Sequence, residues 1–306
     1  MASLRSKPES LLLALTVLLL VGCTSIPATD ANGVTDANEH GMPAEREAAA
    51  SSGAAVLPLD AFEPSAAERN TLTRAISALT AECMTAHGFT DYRPSNAAPP
   101  ETTSLTRRYG VMSADDAARF GYHLTDAEKI GFRGPDDGEE EGAPDEVSEA
   151  EETALYGAPF SEIDPAAPLT SGCYGEAAVA VYGDSAEMPM TANLLAYELH
   201  GDSYSDDRVI AAIDDWSMCM QGQGYDVAGP KEAMDAADLS LPEPSAAEIA
   251  MASADIVCKD DTDLVEVWLT VEIELHNAAI EEQFETLTEE RAQIDAMLTR
   301  AAEVLM

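Results

Sequence analysis

Five cysteines and five histidines carry the most specific chemistry in this 306-residue chain. Cys83, Cys173, Cys219 and Cys258 form an even set, which in an oxidising compartment predicts two disulfides. By count alone, four cysteines leave three connectivities open. The one ligand-like Cys–His spacing is Cys83 with His87, and no C-x-x-C pair occurs, so no metal site is expected. His40, His87, His123, His200 and His276 are scattered, with His276 off the main apolar stripe of its segment. They read as surface or half-buried residues rather than general bases. The chain has no G-x-S-x-G elbow, S-x-x-K pair, P-loop, G-x-G-x-x-G or H-E-x-x-H motif. Its 57 acidic residues leave a glycosidase-type carboxylate pair open. The expectation is no enzyme, no catalytic residue and no cofactor.

The fifth cysteine stands in a different context. Arg5 and Lys7 precede an apolar run from Leu11 to Val21, too short to span a bilayer as a permanent helix and of the length of a secretory signal. The run closes on Leu20-Val21-Gly22-Cys23, which resembles the lipobox of bacterial lipoproteins. That resemblance implies a lipid on Cys23, a mature chain starting there, and a place on the outer face of the cell membrane. Residues 24 to about 58 are rich in Ala, Ser, Thr, Gly and Pro without apolar periodicity and read as a flexible tether.

Charge narrows the partners. The chain carries a formal −41, and removal of residues 1–22 leaves −42. A domain of that sign is repelled by nucleic-acid backbones and by anionic bilayer surfaces, so the lipid must hold it at the membrane. Ten of the seventeen residues from Asp136 to Glu152 are acidic, which predicts a solvated loop. No D-x-[DN]-x-[DN]-G loop occurs, so the expected cation chemistry is weak divalent binding only.

The elements that must position the cysteines are helices. Leu72, Ile76, Leu79 and Cys83, and again Val209, Ile213, Trp216 and Met220, recur at steps of four, three and four, predicting helices over 65–87 and 206–221. Cys83-Met84 is followed by Gly88-Phe89 and Pro94. Cys219-Met220 is followed by Gly224-Tyr225 and Pro230 at identical spacing, and each copy reads as the close of a helix. The string EPSAAE occurs at 63–68 and 243–248, placing Ser65 with Glu68 and Ser245 with Glu248 at capping-box spacing. The Cys-Met echo favours a pairing in which each half closes its own bridge: Cys83 with Cys173 and Cys219 with Cys258. Chain entropy assigns these loops about 4.6 and about 4 kcal/mol.

A last helix is predicted over 262–305. Ile273, Ile280, Leu287, Ile294 and Ala301 recur every seven residues, with Phe284, Leu298 and Leu305 on the complementary position. One reading packs its first half on the disulfide core through Val267, Trp268 and Val271. The other is a coiled-coil arm for a partner or for dimerisation, with Leu287, Ile294 and Leu298 facing outward to that partner. Arg107-Arg108-Tyr109-Gly110 and Phe120-Gly121-Tyr122 form a basic, aromatic cluster, read as a structural hairpin in preference to a ligand cleft.

The lipobox, the paired Cys-Met-x-x-x-Gly-aromatic segments, Arg108-Tyr109-Gly110, Gly172-Cys173 with Gly175-Glu176-Ala177, and Ala254-Asp255 leading to Cys258 resemble a group of actinobacterial extracytoplasmic lipoproteins. The resemblance implies location, disulfides and helical architecture, and carries over no catalytic residue. The expected fold is mainly α: a disulfide-stapled helical domain of two related halves with a long C-terminal helix. The expected organisation is a signal peptide (1–22), a lipidated tether (23–58) and a helical domain (59–306). That domain divides into a first half (59–178) with its acidic loop (136–152) and a second half (179–306). The expected function is a non-catalytic binding or accessory module engaging another envelope protein through the long helix. A small-molecule or cation-binding receptor is the alternative, and an envelope hydrolase ranks behind it.

Overall fold

The structure is a computed structural model and describes residues 57–94, 105, 107–126, 128–129, 147–164 and 166–306. The signal segment, Cys23, the tether before residue 57 and residues 136–146 of the acidic loop lie outside the described residues. Those described fall within the second of two units, residues 42–306. Among them the chain is mainly helical, and none of the helices is long and apolar enough to cross a membrane.

A 3₁₀ turn at Pro58–Phe62 leads into α1 (Ala66–Ala86). There follow α2 (Ala114–Phe120), α3 (Glu149–Tyr156), a 3₁₀ turn at Phe160–Glu162, α4 (Gly172–Tyr182) and α5 (Thr191–Ser203). Then come α6 (Asp207–Gly222), α7 (Pro230–Asp235), α8 (Ala246–Asp261) and α9 (Leu264–Val304). The acidic stretch is not loop to its end. Ser148 accepts the Glu151 amide at 3.2 Å and starts α3, placing Glu149, Glu151 and Glu152 in the first turn, where the helix dipole favours negative charge.

Both disulfides form in the expected pairing: Cys83–Cys173 ties α1 to α4, and Cys219–Cys258 ties α6 to α8. The Cys-Met-x-x-x-Gly-aromatic segments are the same device twice. Gly88 and Gly224 adopt φ of +95° and +96°. The Phe89 amide donates to the Met84 carbonyl at 3.0 Å, and the Tyr225 amide to that of Met220 at 2.9 Å. This is the Schellman closure, which requires a left-handed residue where only glycine is unstrained. Met84 and Met220 are both fully buried while Cys83 and Cys219 are partly exposed. The apolar stripe therefore ends on the methionine in both copies, which corrects the reading that ended the first on Cys83.

The two EPSAAE strings diverge. Ser65 and Glu68 form the reciprocal box, the serine amide donating to the carboxylate at 2.7 Å and the Glu68 amide to the hydroxyl at 3.3 Å. Ser245 caps α8 at 3.1 Å, but the Glu248 carboxylate does not return to it; it accepts the Tyr122 amide and faces His123 instead.

The long helix is the spine. Its 41 residues run about 62 Å at 1.5 Å each, with a break from helical geometry at Gln283. Leu264, Trp268 and Val271 enter the largest core with Trp216, Met220 and Cys258. Leu287 joins Leu59, Ala192 and Ala196, and Met297 and Ala301 join Leu72, Ala75, Ile76 and Val181. Arg291 reaches the Glu68 carboxylate at 2.8 Å and the Glu63 carbonyl at 3.0 Å, pinning α9 to the start of α1. The reading of Leu287, Ile294 and Leu298 as partner-facing residues is thereby corrected. Leu287 and Ile294 are 0% and 1% exposed, and Leu298 is half-buried against the α1–α4 core. At Leu287, Ile294 and Leu298 the seam is covered by this chain's own helices, because both arms of α9 find an internal partner, while Phe284 on the complementary position stays 47% exposed.

Leu287→Ala should cost about 3 kcal/mol through lost transfer energy and an unfilled cavity. The expected result is a lower urea midpoint with unchanged slope; an unchanged midpoint would return Leu287 to the surface.

Candidate functional site

Residues 107–123 cross the second half and bring the polar interior together. Arg107 sits at φ 61°, and its guanidinium donates to Glu128 at 2.8 Å and to the Tyr122 and His123 carbonyls at 3.2 and 2.7 Å, closing the expected hairpin on itself. The bidentate pairing holds the Glu128 carboxyl down at about 2. Arg108, the next residue, points the other way, donating from Nε to Glu272 on α9 at 2.5 Å and from Nη2 to the Ala196 carbonyl on α5 at 2.8 Å.

Glu272 is therefore the centre of a buried charge cluster. Its other oxygen faces His200 Nδ1 at 2.5 Å. Burial alone would raise this carboxyl, but the His200 and Arg108 contacts outweigh it and leave it below the ordinary range. The His200 ring stacks on Trp268 with centroids 5.7 Å apart and planes 13° apart, and Tyr204 meets Trp268 edge-on at 4.6 Å. Trp268 Nε1 donates to Ser203 Oγ at 2.7 Å, while Ser203 itself donates to the His200 carbonyl at 2.7 Å. The hydroxyl beside the His–Glu pair is thus turned into the packing and not toward the ring. One turn beyond Glu272, His276 is fully buried. Its Nδ1 accepts the Leu59 amide at 3.5 Å, and its Nε2 has no hydrogen-bond partner among the described residues. Burial, reinforced by the nearby Arg108 charge, lowers its pKa to about 4. The expectation of a surface or half-buried His276 is corrected: in this arm the buried face follows Trp268, Val271, Glu272 and His276, not Ile273.

A second cluster lies on α8. Lys259 and Asp255, 3% and 0% exposed, pair at 3.0 Å; Trp216 Nε1 donates to Asp255 at 3.0 Å, and Lys259 donates to the Val111 carbonyl at 2.8 Å. Burial pushes the Asp255 carboxyl up and the Lys259 ammonium down, each against the pull of the other. His123 Nδ1 faces Glu248 at 2.7 Å and its Nε2 the Leu241 carbonyl at 2.9 Å. Burial opposes the imidazolium, but these contacts prevail and raise its pKa. Gly121, at φ 57°, makes this approach feasible, since a Cβ there would stand 2.6 Å from Glu248 Oε1. Both clusters fasten the 107–123 segment to α8 and α9.

The remaining candidate donors are dispersed. His87 lies with Cys83 and Cys173 in a group whose donor atoms all fall within 4.8 Å of one another, but the two sulfurs are bonded to each other. An open groove of about 500 Å³ runs between the outer side of α1 and residues 92–94, with Arg74 and Arg93 on its walls. The sequence marks Glu248 only as a helix cap, Asp255 only within the family resemblance and His276 only as a surface or half-buried residue, and gives no sign of Glu272, although Asp255–Lys259 and Glu272–His276 both carry i,i+4 spacing beside buried apolar positions.

The surface feature that stands out is α5, which is apolar on two opposite faces. Ala192 and Ala196, with Leu195 and Leu199, face Leu59 and Leu287. On the other side Met190, Leu194, Tyr197 and Tyr204 are 55%, 60%, 80% and 43% exposed. With Gly201 they follow four-three-four-three spacing, a single strip along one helix face. Behind the strip α5 is held by the Arg108–Ala196 and His200–Glu272 contacts and by Thr191 Oγ1 donating to Glu290 at 2.6 Å.

Two consequences can be measured. The folded pKa of His276 lies below its ordinary value of about 6.5, so the unfolded chain binds the extra proton between about pH 6.5 and 4. Stability from this group is complete above that window and falls by about 3 kcal/mol across it. Urea unfolding at several pH values should show this slope flattened in His276→Asn; parallel slopes would refute the assignment. Lys259→Met should cost about 3–5 kcal/mol by leaving Asp255 buried without its cation. Part of that loss should return in the Lys259→Met, Asp255→Asn double variant, and an additive double variant would mean that the two do not act as a pair.

Compared with known proteins, the chain matches no protein family, no curated protein and no solved structure.

Proposed function

We propose that this chain is a lipid-anchored, non-catalytic binding or accessory module on the outer face of a bacterial cell membrane, engaging another envelope protein. The lipobox-like Leu20-Val21-Gly22-Cys23 supports the anchor, and the two disulfides suit an oxidising compartment. The observation that carries the binding reading is the exposed strip on α5. In a chain of charge −41, four large apolar side chains in line on a firmly backed helix call for a covering surface. Leu287 and Ile294 on the α9 seam are buried inside the chain, so the docking surface moves to α5. The partly buried Arg108 and the buried Lys259, Glu272 and Asp255 act here as fasteners: they hold α5, α8 and α9 against the 107–123 segment and keep the strip rigid.

A photo-crosslinking amino acid placed at Tyr197 in intact cells, with Cys23→Ala as the unanchored control, tests this reading. The expected outcome is a discrete adduct with one envelope protein, absent when the probe sits instead at Glu303, exposed near the end of α9, and lost in Cys23→Ala. No adduct at Tyr197, or an identical ladder at both positions, would overturn it.

A further inference from the structure

We infer that the α5 strip is a docking site for a cationic amphipathic helix of the partner protein, an inference that rests on the accessory reading above. Met190, Leu194, Tyr197, Gly201 and Tyr204 alternate four and three residues apart, the spacing of a helix-packing seam, and span about 21 Å. At Gly201 an added Cβ would meet nothing within 4 Å, so the strip is open between Tyr197 and Tyr204 and a second helix can approach the backbone there.

Charge decides which helix. Between residues 183 and 207 there are six acids, Asp184, Glu187, Glu198, Asp202, Asp206 and Asp207, and no lysine or arginine. Glu198 and Asp202, both exposed and four residues apart, flank the strip on one side. Arg208, next in the chain, is held by Asp206 and Glu274. A second copy would bring the same acids against each other on two bodies of −41, and an anionic bilayer or the chain's own acidic stretch at 136–146 carries the same sign. A partner with an apolar seam and Lys or Arg beside it satisfies both the apolar strip and its acidic border. Because α5 is already ordered against α9, the strip itself loses little freedom on binding.

The test uses the mature protein and a synthetic peptide of about 18 residues, Leu at the seam positions and Lys on the flanks. Controls are the same peptide with Glu for Lys and a scrambled sequence. Fluorescence anisotropy should show binding of the basic peptide alone, weakened roughly tenfold or more by Leu194→Glu or Tyr197→Glu. The Glu198→Lys, Asp202→Lys double variant should weaken it comparably and reduce its salt dependence. The substituted side chains are exposed, and unchanged circular dichroism and melting would confirm intact folding. Equal binding of the acidic or scrambled peptide, or indifference to the strip variants, overturns the inference. So does a dimer, or binding to phosphatidylglycerol vesicles, that disappears in Tyr197→Glu. A Tyr197 adduct in cells without basic-peptide binding removes the partner chemistry and leaves the accessory role standing. Basic-peptide binding without any adduct supports the strip chemistry and removes the accessory role.

Discussion

Glu272 has none of its side chain exposed and holds Arg108 on one oxygen and His200 on the other, so three segments meet at one carboxylate. A buried charge of this kind is tolerable only when it is paired and fully hydrogen-bonded. That requirement fixes a good deal at once. Arg108 must cross from the 107–123 segment to α9, His200 must sit on the last turns of α5, and Trp268 must offer a flat face beneath the imidazole. One turn on, His276 has no hydrogen-bond partner for Nε2 among the described residues, and burial together with the Arg108 charge makes the neutral form of that ring part of the folded state.

The chain has few bases, and those in its interior stand at joints. Arg107 closes the 107–123 hairpin on Glu128, Lys259 ties α8 to the Val111 carbonyl, and Arg291 ties α9 to the start of α1. With acids in such excess, a base placed inside is sure of a carboxylate. The disulfides serve the same end at the far ends of the helices, each fastening one Schellman-closed helix to a neighbour. Ion pairs between segments and covalent links between helices thus share the work of a core divided into several separate clusters.

The consequence at the surface is a helix with apolar residues on both sides. The inner face of α5 closes the cluster around Leu59 and Leu287, and the outer face stays rigid because its backbone and His200 are held from within. A strip that is apolar, preorganised and bordered by acids favours recognition by charge and shape together.

Much of the architecture was legible in the amino-acid sequence. Local chemistry determined the bounds of α1, α6 and α9, the paired glycine closures and the serine caps at Ser65 and Ser245, because apolar periodicity and terminal hydrogen bonds act within a few residues. The spacing of Cys83 and Cys219 in equivalent segments also anticipated which cysteines pair. What depended on distant contacts was not legible. A heptad on α9 reads the same whether a neighbouring protein or the chain's own Leu59, Ala192 and Ile76 covers it. Glu248 sits at capping-box spacing yet turns to Tyr122 and His123, 125 residues away at the latter, because a buried imidazole and amide need it more than an exposed helix end does. The two apolar faces of α5 were likewise invisible, since only the packing of α9 decides which of them is inside. Sequence determined the disulfide-bearing helices α1 and α6, the long helix α9 and their ends; tertiary structure alone decided which faces are covered, because burial is a property of neighbours and not of the residues themselves.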